Sequence, residues 1–331
     1  MKEAMFYEKK GSVLQCRVCP HNCVIADGKR GFCGVRENRD GRLYLLVYGR
    51  PVSVCIDPVE KKPLFHFLPG SRVYSIGTVG CNLRCKHCQN WQISQEKDII
   101  GEKLSPEEVV DNAIEEGCSA IAYTYTEPTI FYEYVYDTAR LARKKGLKNI
   151  LVTNGYINQQ PLKKLYRYID AANVDLKGFT EKFYREITAS SLSPVLETLK
   201  TIKSMGVWLE VTNLVIPSLN DDMKTISEMS VWLKENLGDT IPLHFSRFFP
   251  FYRLEHLPPT PPETLKKARD VALKAGLKFV YVGNIMLDDS ENTYCPKCKK
   301  LLVERKGFAV SINSIESGVC SCGAEIPGVW K

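Results

Sequence analysis

Residues 73–88 have the sequence Val73-Tyr-Ser-Ile-Gly77-Thr-Val-Gly80-Cys81-Asn-Leu-Arg-Cys85-Lys-His-Cys88. An apolar run typical of a buried strand ends at Gly77, and three cysteines follow it in one short loop. Three thiolates this close together can hold three irons of a four-iron four-sulfur cluster, because soft sulfur ligands select such clusters. The fourth iron would then stay open to a small molecule. A zinc site and three unrelated thiols are the alternative interpretations.

The cysteine loop lies near the start of a long alternation of apolar runs and helical segments, from Arg72 to about Val282. The runs that predict strands are Val73–Gly77, Ala120–Thr124, Asn149–Thr153, Ala172–Lys177, Val207–Ile216, Pro242–Phe245 and Lys278–Val282. Between them, Ser105-Pro106-Glu107-Glu108 predicts a capped helix start and Gly117 its end. Strand–helix alternation predicts an α/β fold with a parallel sheet, and the number of repeats suits a full or partial (β/α) barrel. A doubly wound open sheet is the alternative.

Breaks in this alternation divide the chain into three predicted parts. Residues 1–70 form a cysteine-rich N-terminal module, residues 71–289 the α/β barrel, and residues 290–331 a second cysteine-rich module. Within the first part, Leu43–Tyr48 and Pro51–Ile56 flank Gly49-Arg50 and predict a β-hairpin.

The composition is ordinary for a folded soluble protein, with 331 residues, 44% hydrophobic and 25% charged. The net charge of +7 is mild, and a solvated lysine-rich surface explains it as well as an anionic partner does. The N-terminus, Met1 to Lys10, has no apolar run that could act as a secretory signal. No stretch is long enough to span a bilayer. We therefore expect a cytoplasmic protein that does not bind membranes.

Thirteen cysteines fall mainly into three groups, a pattern that indicates metals more than disulfides in a reducing compartment. The N-terminal group has His21 among its members, which are Cys16, Cys19, Cys23 and Cys33. Four soft ligands suit tetrahedral zinc or an auxiliary iron-sulfur cluster, and the spacing does not separate the two. Zinc is the favoured interpretation, because a small module with little core needs a structural metal.

The C-terminal cysteines predict a zinc ribbon, in the pattern Cys295-Pro-Lys-Cys298 and Cys320-Ser-Cys322. A redox dithiol is the alternative. Cys55 and Cys118 lie in apolar runs, and we expect both in the core.

Polar residues recur where the predicted strands end, which is the active face of α/β barrels. They are Thr126-Glu127-Pro128, Thr153-Asn154-Gly155, Asp175-Leu-Lys177 and His244. Such side chains need partners when buried, and a zwitterionic nucleoside would supply them. Glu127 could hold an ammonium, Lys177 a carboxylate, and Thr153 or His244 a ribose hydroxyl. Taken singly, each has a structural alternative: a helix cap, an ion pair or a core histidine.

These motifs and their order resemble the radical S-adenosylmethionine (radical SAM) superfamily, and within it the pyruvate formate-lyase activating enzyme branch. The resemblance covers roughly Tyr74 to Asn284. It rests on the C-x3-C-x2-C spacing, Glu127-Pro128, Thr153-Asn154-Gly155, Asp175-Leu-Lys177, His244 and Cys88-Gln89-Asn90. It implies that S-adenosylmethionine occupies the open iron, that reduction yields a 5′-deoxyadenosyl radical, and that Asn90 also touches the cofactor.

Two positions depart from that branch. Tyr125-Thr126 replaces its double glycine, and Val152 stands where it has an acidic residue. The cysteine-rich front and Asp57-Pro-Val-Glu-Lys-Lys-Pro-Leu64 are closer to the radical SAM member of the AmmeMemoRadiSam set.

The resemblance implies an oxidoreductase that abstracts hydrogen from an unidentified protein or small-molecule substrate. A ferredoxin or flavodoxin would be its low-potential electron donor. The alternative is a zinc-ribbon protein that binds or modifies RNA, for which the short basic patch Lys297, Lys299 and Lys300 gives weak support.

Overall fold

The structure is a computed structural model that describes residues 1–285, 287 and 289–331. Its N-terminal part holds short strands: β1 (Lys2–Glu3), β2 (Tyr7–Lys10), β3 (Val13–Cys16), β4 (Val24–Ile25), β5 (Arg36–Arg39) and β6 (Arg42–Leu45). They form two small antiparallel sheets, with strand orders β2-β3-β4 and β1-β6-β5.

The central sheet carries the predicted strands. Its members are β7 (Ser53–Pro58), β8 (Arg72–Gly77), β9 (Ala120–Tyr123), β10 (Lys148–Thr153), β11 (Ala171–Asp175), β12 (Trp208–Val215), β13 (Leu243–Arg247) and β14 (Val280–Gly283). Neighbours pair in chain order, all parallel from β8 to β14, and β7 is antiparallel to β8. The predicted α/β fold with a parallel sheet is confirmed.

Helices connect these strands: α1 (Trp91–Ser94), α2 (Pro106–Glu115), α3 (Tyr132–Lys144), α4 (Gln159–Leu165), α5 (Glu181–Phe183), α6 (Ser193–Ser204), α7 (Met223–Leu237) and α8 (Pro262–Lys274). The capping box at Ser105 and Glu108 forms as predicted. Because the parallel strands never reverse their order, right-handed crossovers place the connecting helices on one face of the sheet. A doubly wound sheet would reverse direction and carry helices on both faces, so that alternative is wrong. The two edge strands, β7 and β14, are not paired with each other in the described part of the chain, which makes the barrel partial.

The plug, residues 59–68, covers the inner face near the start of the strands. Val59, Leu64 and Phe67 pack there against small and branched side chains of β8 to β11. Asn173 Nδ2 donates to Pro63 O at 2.8 Å. The buried carboxylate of Glu210 accepts hydrogen bonds from two backbone N–H groups of the plug, those of Phe65 at 3.0 Å and His66 at 2.8 Å. The plug is therefore fixed to the sheet by polar as well as apolar contacts.

The C-terminal module consists of β15 (Thr293–Tyr294), β16 (Leu301–Lys306) and β17 (Ala309–Asn313) in one antiparallel sheet. A buried chain of hydrogen bonds joins it to the plug. His66 Nδ1 lies 2.7 Å from Pro327 O and His66 Nε2 lies 2.6 Å from Tyr281 Oη. Because a carbonyl can only accept, Nδ1 carries the proton and Nε2 accepts from the tyrosine. Tyr281 Oη in turn lies 2.9 Å from Thr293 Oγ1.

Two expectations for the N-terminal region are wrong. The hairpin between Leu43–Tyr48 and Pro51–Ile56 does not form: β6 pairs with β5 and β1, whereas β7 pairs with β8. Cys55 is exposed on the edge strand β7 instead of lying in the core, while Cys118 is buried. The division at residue 70 remains a proposal, and the pairing of β7 favours a boundary before Ser53. Among the described residues, no helix combines the length and apolar character that crossing a membrane requires.

Candidate active site at the carboxyl end of the sheet

The three-cysteine loop follows β8 and is fixed by backbone hydrogen bonds. Arg84 N donates to Thr188 O at 2.9 Å, and Lys86 N donates to Ile187 O at 3.0 Å. Polar groups also reach the sulfurs. Leu83 N lies 3.4 Å from Cys81 Sγ, and Ser94 Oγ lies 3.3 Å from Cys88 Sγ. The loop therefore presents its thiols from a backbone that is held in place on both sides.

Burial makes two of these thiols, Cys81 and Cys85, hard to ionise without a bound cation. It raises the pKa of Cys85 to about 12, although the nearby Lys177 ammonium acts in the opposite direction. Burial and the neighbouring Glu127 carboxylate also raise the pKa of Cys81 well above its usual range. His87 lies between Cys85 and Cys88 in the sequence and is buried, and both of its ring nitrogens lack a hydrogen-bond partner in the described part of the chain. Thiolate chemistry at this loop thus requires a positive centre to stabilise the charge.

The spacing of the sulfurs fits a cluster better than a single ion. A zinc ion about 2.3 Å from each sulfur brings tetrahedral ligands to about 3.8 Å from one another. Within the described residues, three or more possible ligand atoms lie within 4.8 Å of one another only at the C-terminal cysteines. The sulfurs of Cys81, Cys85 and Cys88 are therefore not all within this distance of one another, which agrees with the wider ligand spacing of a multi-iron cluster.

Glu127 lies beside this loop, after β9, and is buried. Its Oε1 accepts from Thr153 Oγ1 at 2.7 Å and Thr129 N at 3.0 Å, and its Oε2 accepts from Asn154 N at 2.8 Å. Burial raises the pKa of Glu127 although these donors lower it. No Lys or Arg of the described residues forms an ion pair with it. The carboxylate is therefore oriented from one side and lacks a cationic partner.

Asn154 joins β10 to the cysteine loop. Its Nδ2 donates to Asn82 Oδ1 at 2.9 Å and lies 4.0 Å from Cys81 Sγ. Asn82, in turn, donates from Nδ2 to Tyr156 O at 2.8 Å. The sequence analysis did not identify Asn82 as a residue of the site, although its position between Cys81 and Cys85 could have indicated it.

Asp175 and Lys177 follow β11 on the other side of the loop. Lys177 Nζ lies 3.0 Å from Asp175 Oδ2. Burial alone would lower the pKa of Lys177, but Asp175, Cys85 and Cys88 raise it above its usual range. The ammonium is therefore charged and close to two of the three cluster-loop thiols. The structure brings it together with them as the sequence predicts.

Asn90 and Thr126 fix the turn that replaces a double glycine. Asn90 Nδ2 donates to Tyr125 O at 2.7 Å, and Thr126 Oγ1 donates to Thr78 O at 2.8 Å. Tyr125 has a φ of 67°, in the left-handed region that glycine adopts without strain. The backbone thus keeps a glycine-like shape although a tyrosine occupies the position.

The Tyr125 side chain belongs to a polar group that the sequence analysis did not identify. Tyr125 Oη donates to Asp57 Oδ2 at 2.6 Å, and Lys62 Nζ lies 2.6 Å from the same oxygen. Lys62 Nζ also lies 4.8 Å from the centre of the Tyr125 ring. Burial raises the pKa of Asp57, but Lys61, Lys62 and Tyr125 together hold it well below its usual range. Asp57 and Lys62 both lie in the Asp57–Leu64 stretch, whose charged residues could have indicated this polar group.

The contacts of His244 lie away from the cysteine loop. Its Nε2 lies 2.6 Å from Glu210 Oε2, and its ring packs against Phe65 and Tyr281. These partners belong to the plug and to the inner face of the sheet. They give one ring nitrogen of His244 a buried partner, and the predicted ribose contact of His244 stays a prediction.

The outer cysteines occupy two separate places. At the C-terminal module, Cys295 Sγ lies 3.6 Å from Cys322 Sγ, and Cys298 Sγ lies 3.7 Å from Cys320 Sγ. This compact group fits the predicted zinc-ribbon-like module. The N-terminal thiols line a cavity of their own, together with Arg36.

Comparison with known proteins agrees with this geometry. A sequence model of the Radical SAM superfamily matches residues 75–229. The chain is 48% identical over 332 residues to the uncharacterized protein MJ0808 of Methanocaldococcus jannaschii, which covers 98% of this chain and 99% of that protein. It is 24% identical over 148 residues to the pyruvate formate-lyase 1-activating enzyme of Escherichia coli strain K12, which covers 43% of this chain.

That second match spans 60% of the activating enzyme, so less than two thirds of its length is shared. Among solved structures, Streptococcus suis SuiB bound to S-adenosylmethionine aligns with a TM-score of 0.51 at 13% identity. The alignment covers 72% of this chain and 56% of that chain, and it supports the fold.

Proposed function

Because the chain belongs to the radical SAM superfamily, we propose that it cleaves S-adenosylmethionine reductively at a four-iron four-sulfur cluster and uses the 5′-deoxyadenosyl radical to abstract hydrogen from a substrate. The observation that carries this proposal is the set of three thiols on one loop, with the buried Glu127 near Cys81 and the Lys177 ammonium near Cys85 and Cys88. The substrate is a protein or small molecule.

In this proposal, residues of different charge around the loop bind different groups of the cluster and of S-adenosylmethionine. Cys81, Cys85 and Cys88 hold the cluster. Glu127 receives the ammonium of the methionine moiety, since it is a buried, oriented carboxylate without an ion-pair partner among the described residues. Lys177 faces the methionine carboxylate, and its pairing with Asp175 keeps its ammonium in place.

The remaining polar contacts hold the two binding groups in position. Thr153 and the Asn154 backbone orient Glu127, while Asn154 and Asn82 connect β10 to the cysteine loop. Asn90 and Thr126 fix the turn before Glu127 and are placed to contact the cofactor. We assign His244 to the plug and not to the cofactor.

The electron donor is a low-potential ferredoxin or flavodoxin. An open groove lies beside the cysteine loop, and Arg84, Lys97 and Arg253 line it. Ser94, which contacts Cys88 Sγ, borders the same groove. Positive charge steers an acidic partner to such a surface. Reduction by a ferredoxin should therefore slow with rising ionic strength, and a rate independent of salt would remove the support for docking here.

The C-terminal cysteines hold a structural zinc ion, because their sulfurs already lie within single-ion spacing. Free thiols at three sites favour a reducing compartment, and we place the enzyme in the cytoplasm.

The test of the proposed function is the formation of 5′-deoxyadenosine from S-adenosylmethionine and dithionite, after anaerobic reconstitution with iron and sulfide. Wild-type protein should form it, and Cys85→Ala protein should form at least a hundredfold less. Cys118→Ser is the matched control, because this buried thiol lies away from the loop and should leave the yield unchanged. Equal yields from wild type and Cys85→Ala would overturn the proposal.

A further inference from the structure

We propose that the N-terminal module holds a second four-iron four-sulfur cluster, ligated by Cys16, Cys19, Cys23 and Cys33, in place of the zinc ion that the sequence favours. The four thiols line one cavity. Apolar side chains, including Ile25 and Ile130, complete its wall. None of the four cysteines is in a disulfide.

The spacing of these sulfurs separates the two metals. Zinc draws its ligands to about 3.8 Å from one another, as the C-terminal cysteines already are. Within the described residues, three or more ligand atoms come within 4.8 Å of one another only in that C-terminal set. No three of the N-terminal sulfurs therefore lie within 4.8 Å of one another. The described part of the chain thus has one group of four thiols at single-ion spacing and another group that lacks this spacing, as the ligands of a multi-iron cluster would.

Arg36 supplies a second observation that points to a bound anionic group. Its guanidinium is buried, with a side-chain exposure of 2%, and it lines the cavity. Nη1 and Nη2 are both satisfied by Glu133, at 3.1 Å and 2.7 Å. Nε has no partner. A buried guanidinium N–H left unpaired is costly, and a cluster sulfur on the cavity side would accept from it.

Backbone donors also face this space. Phe32 N lies 3.4 Å from Cys23 Sγ, so one ligand sulfur already accepts a peptide N–H. Such bonds stabilise thiolate charge and tune iron-sulfur clusters. With four protein ligands no iron vertex stays open, so this cluster would exchange single electrons and bind no substrate.

The N-terminal cavity abuts the three-cysteine loop. Gly80, the residue before Cys81, has a φ of 93°, and a Cβ built on it would lie 2.7 Å from Cys33 O. Arg84, from the same loop, stacks on Phe32 with its guanidinium 4.1 Å from the ring centre and donates to Phe32 O. His21 contacts Asn82 O at 2.7 Å. The proposed cluster would therefore stand directly beside the loop that carries the first.

The experiment removes the first cluster and asks what metal remains. The variant Cys81→Ala/Cys85→Ala/Cys88→Ala is reconstituted anaerobically with iron and sulfide, and iron, sulfide and zinc are measured per chain. We expect about four iron and four sulfide ions, together with the electron paramagnetic resonance signal of a reduced cluster after dithionite. One zinc ion at the N-terminal site and no cluster signal would overturn the proposal.

Further substitutions tie the iron to the site. Adding Cys19→Ser and Cys33→Ser should remove the remaining iron, whereas adding Cys118→Ser should not, and iron that persists without Cys19 and Cys33 contradicts the assignment. Should the triple variant fail to fold by circular dichroism, the comparison moves to the wild type, where about eight iron ions per chain support the second cluster and about four oppose it. Because the triple variant lacks the catalytic ligands, its result is independent of the proposed function.

Discussion

Arg36 and Glu133 form a buried ion pair with two parallel hydrogen bonds, Nη1 to Oε1 at 3.1 Å and Nη2 to Oε2 at 2.7 Å. Arg36 belongs to β5 and Glu133 to α3, so the pair joins the N-terminal module to the outer helices of the sheet. Met5 N also donates to Glu133 Oε1 at 2.9 Å. Both side chains are almost fully excluded from water. The docking of the N-terminal module therefore depends on the charges matching.

Removing the carboxylate should destabilise the protein strongly. In Glu133→Ala the guanidinium stays buried without its counter-charge, and breaking such a pair costs about 3–5 kcal/mol. Anaerobic urea unfolding of the reconstituted protein measures the loss. The matched control is Lys200→Ala, which removes a half-exposed pair with Glu197 and should change stability by less than about 1 kcal/mol. A loss at Glu133 no larger than at Lys200 would show that the pair does not hold the module.

Glu127→Gln should weaken S-adenosylmethionine binding. A hydrogen bond to a charged group contributes about 1.5–3 kcal/mol, so the dissociation constant should rise about tenfold or more. Isothermal titration of the reconstituted protein measures the constant, and unchanged iron content shows that the loop is intact. Glu263→Gln, an exposed carboxylate, should bind as the wild type does. Wild-type affinity in the Glu127 variant would exclude the ammonium contact.

His244→Ala should leave cofactor affinity within about twofold of the wild type and reduce stability instead. The substitution removes a hydrogen-bond partner of the buried Glu210, which costs about 1–3 kcal/mol or more. Urea unfolding should therefore show a lower free energy of unfolding, whereas titration should show a nearly unchanged dissociation constant. A tenfold loss of affinity at unchanged stability would restore the ribose contact predicted from the sequence.

His66 should make stability depend on pH. Burial lowers its pKa to about 4, below the unfolded value of about 6.5. Between these values the unfolded chain binds more protons, so stability falls as pH decreases from about 6.5 towards 4, by on the order of 1.4 kcal/mol per unit. Protonation also places an N–H opposite the Tyr281 hydroxyl that now donates to Nε2.

The comparison for this effect is His66→Asn, whose amide can still donate to Pro327 O. Urea unfolding at pH 7.5, 6.5 and 5.5 should show a smaller decrease for the variant than for the wild type. The difference between the two proteins isolates His66, because all other titrating groups are shared. If the free energy of unfolding decreased equally with pH in the wild type and in His66→Asn, the pH dependence would not come from His66.

Cys295→Ser should release zinc from the C-terminal module and leave the other metals in place. Its sulfur lies 3.6 Å from Cys322 Sγ, so its loss opens the compact ligand set. Metal analysis should find about one zinc ion fewer per chain, with iron unchanged, and limited proteolysis should cut first near β16 and β17. Loss of iron in place of zinc would identify the site as an iron-sulfur centre.

The sequence predicted those features whose signal is local. Apolar runs placed the strands from β8 to β14 within a few residues, and the thiols of Cys81, Cys85 and Cys88 are close neighbours along the chain. Glu127, Thr153 and Asn154 also come together as expected, because the ends of parallel strands meet at one edge of the sheet.

Features that depend on distant partners were not predictable in this way. The contact of His244 with Glu210 depends on a neighbouring strand, and Cys55 is exposed because its strand forms the edge of the sheet. The apolar run around Cys55 looks the same whether or not another strand covers it. The metal in the N-terminal module depends on how far apart the sulfurs stand, and residue spacing does not reveal that distance.

The plug has a consequence for how the sequence of this protein can evolve. Strands and outer helices determine where the cysteine loop stands, whereas the inner wall is supplied by chain that precedes β8, fastened from below by the C-terminal module. Lengthening or shortening that stretch would reshape the inner face without moving Cys81, Cys85 or Cys88. Under the proposed function, substrate selectivity and radical generation could therefore diverge independently in related chains.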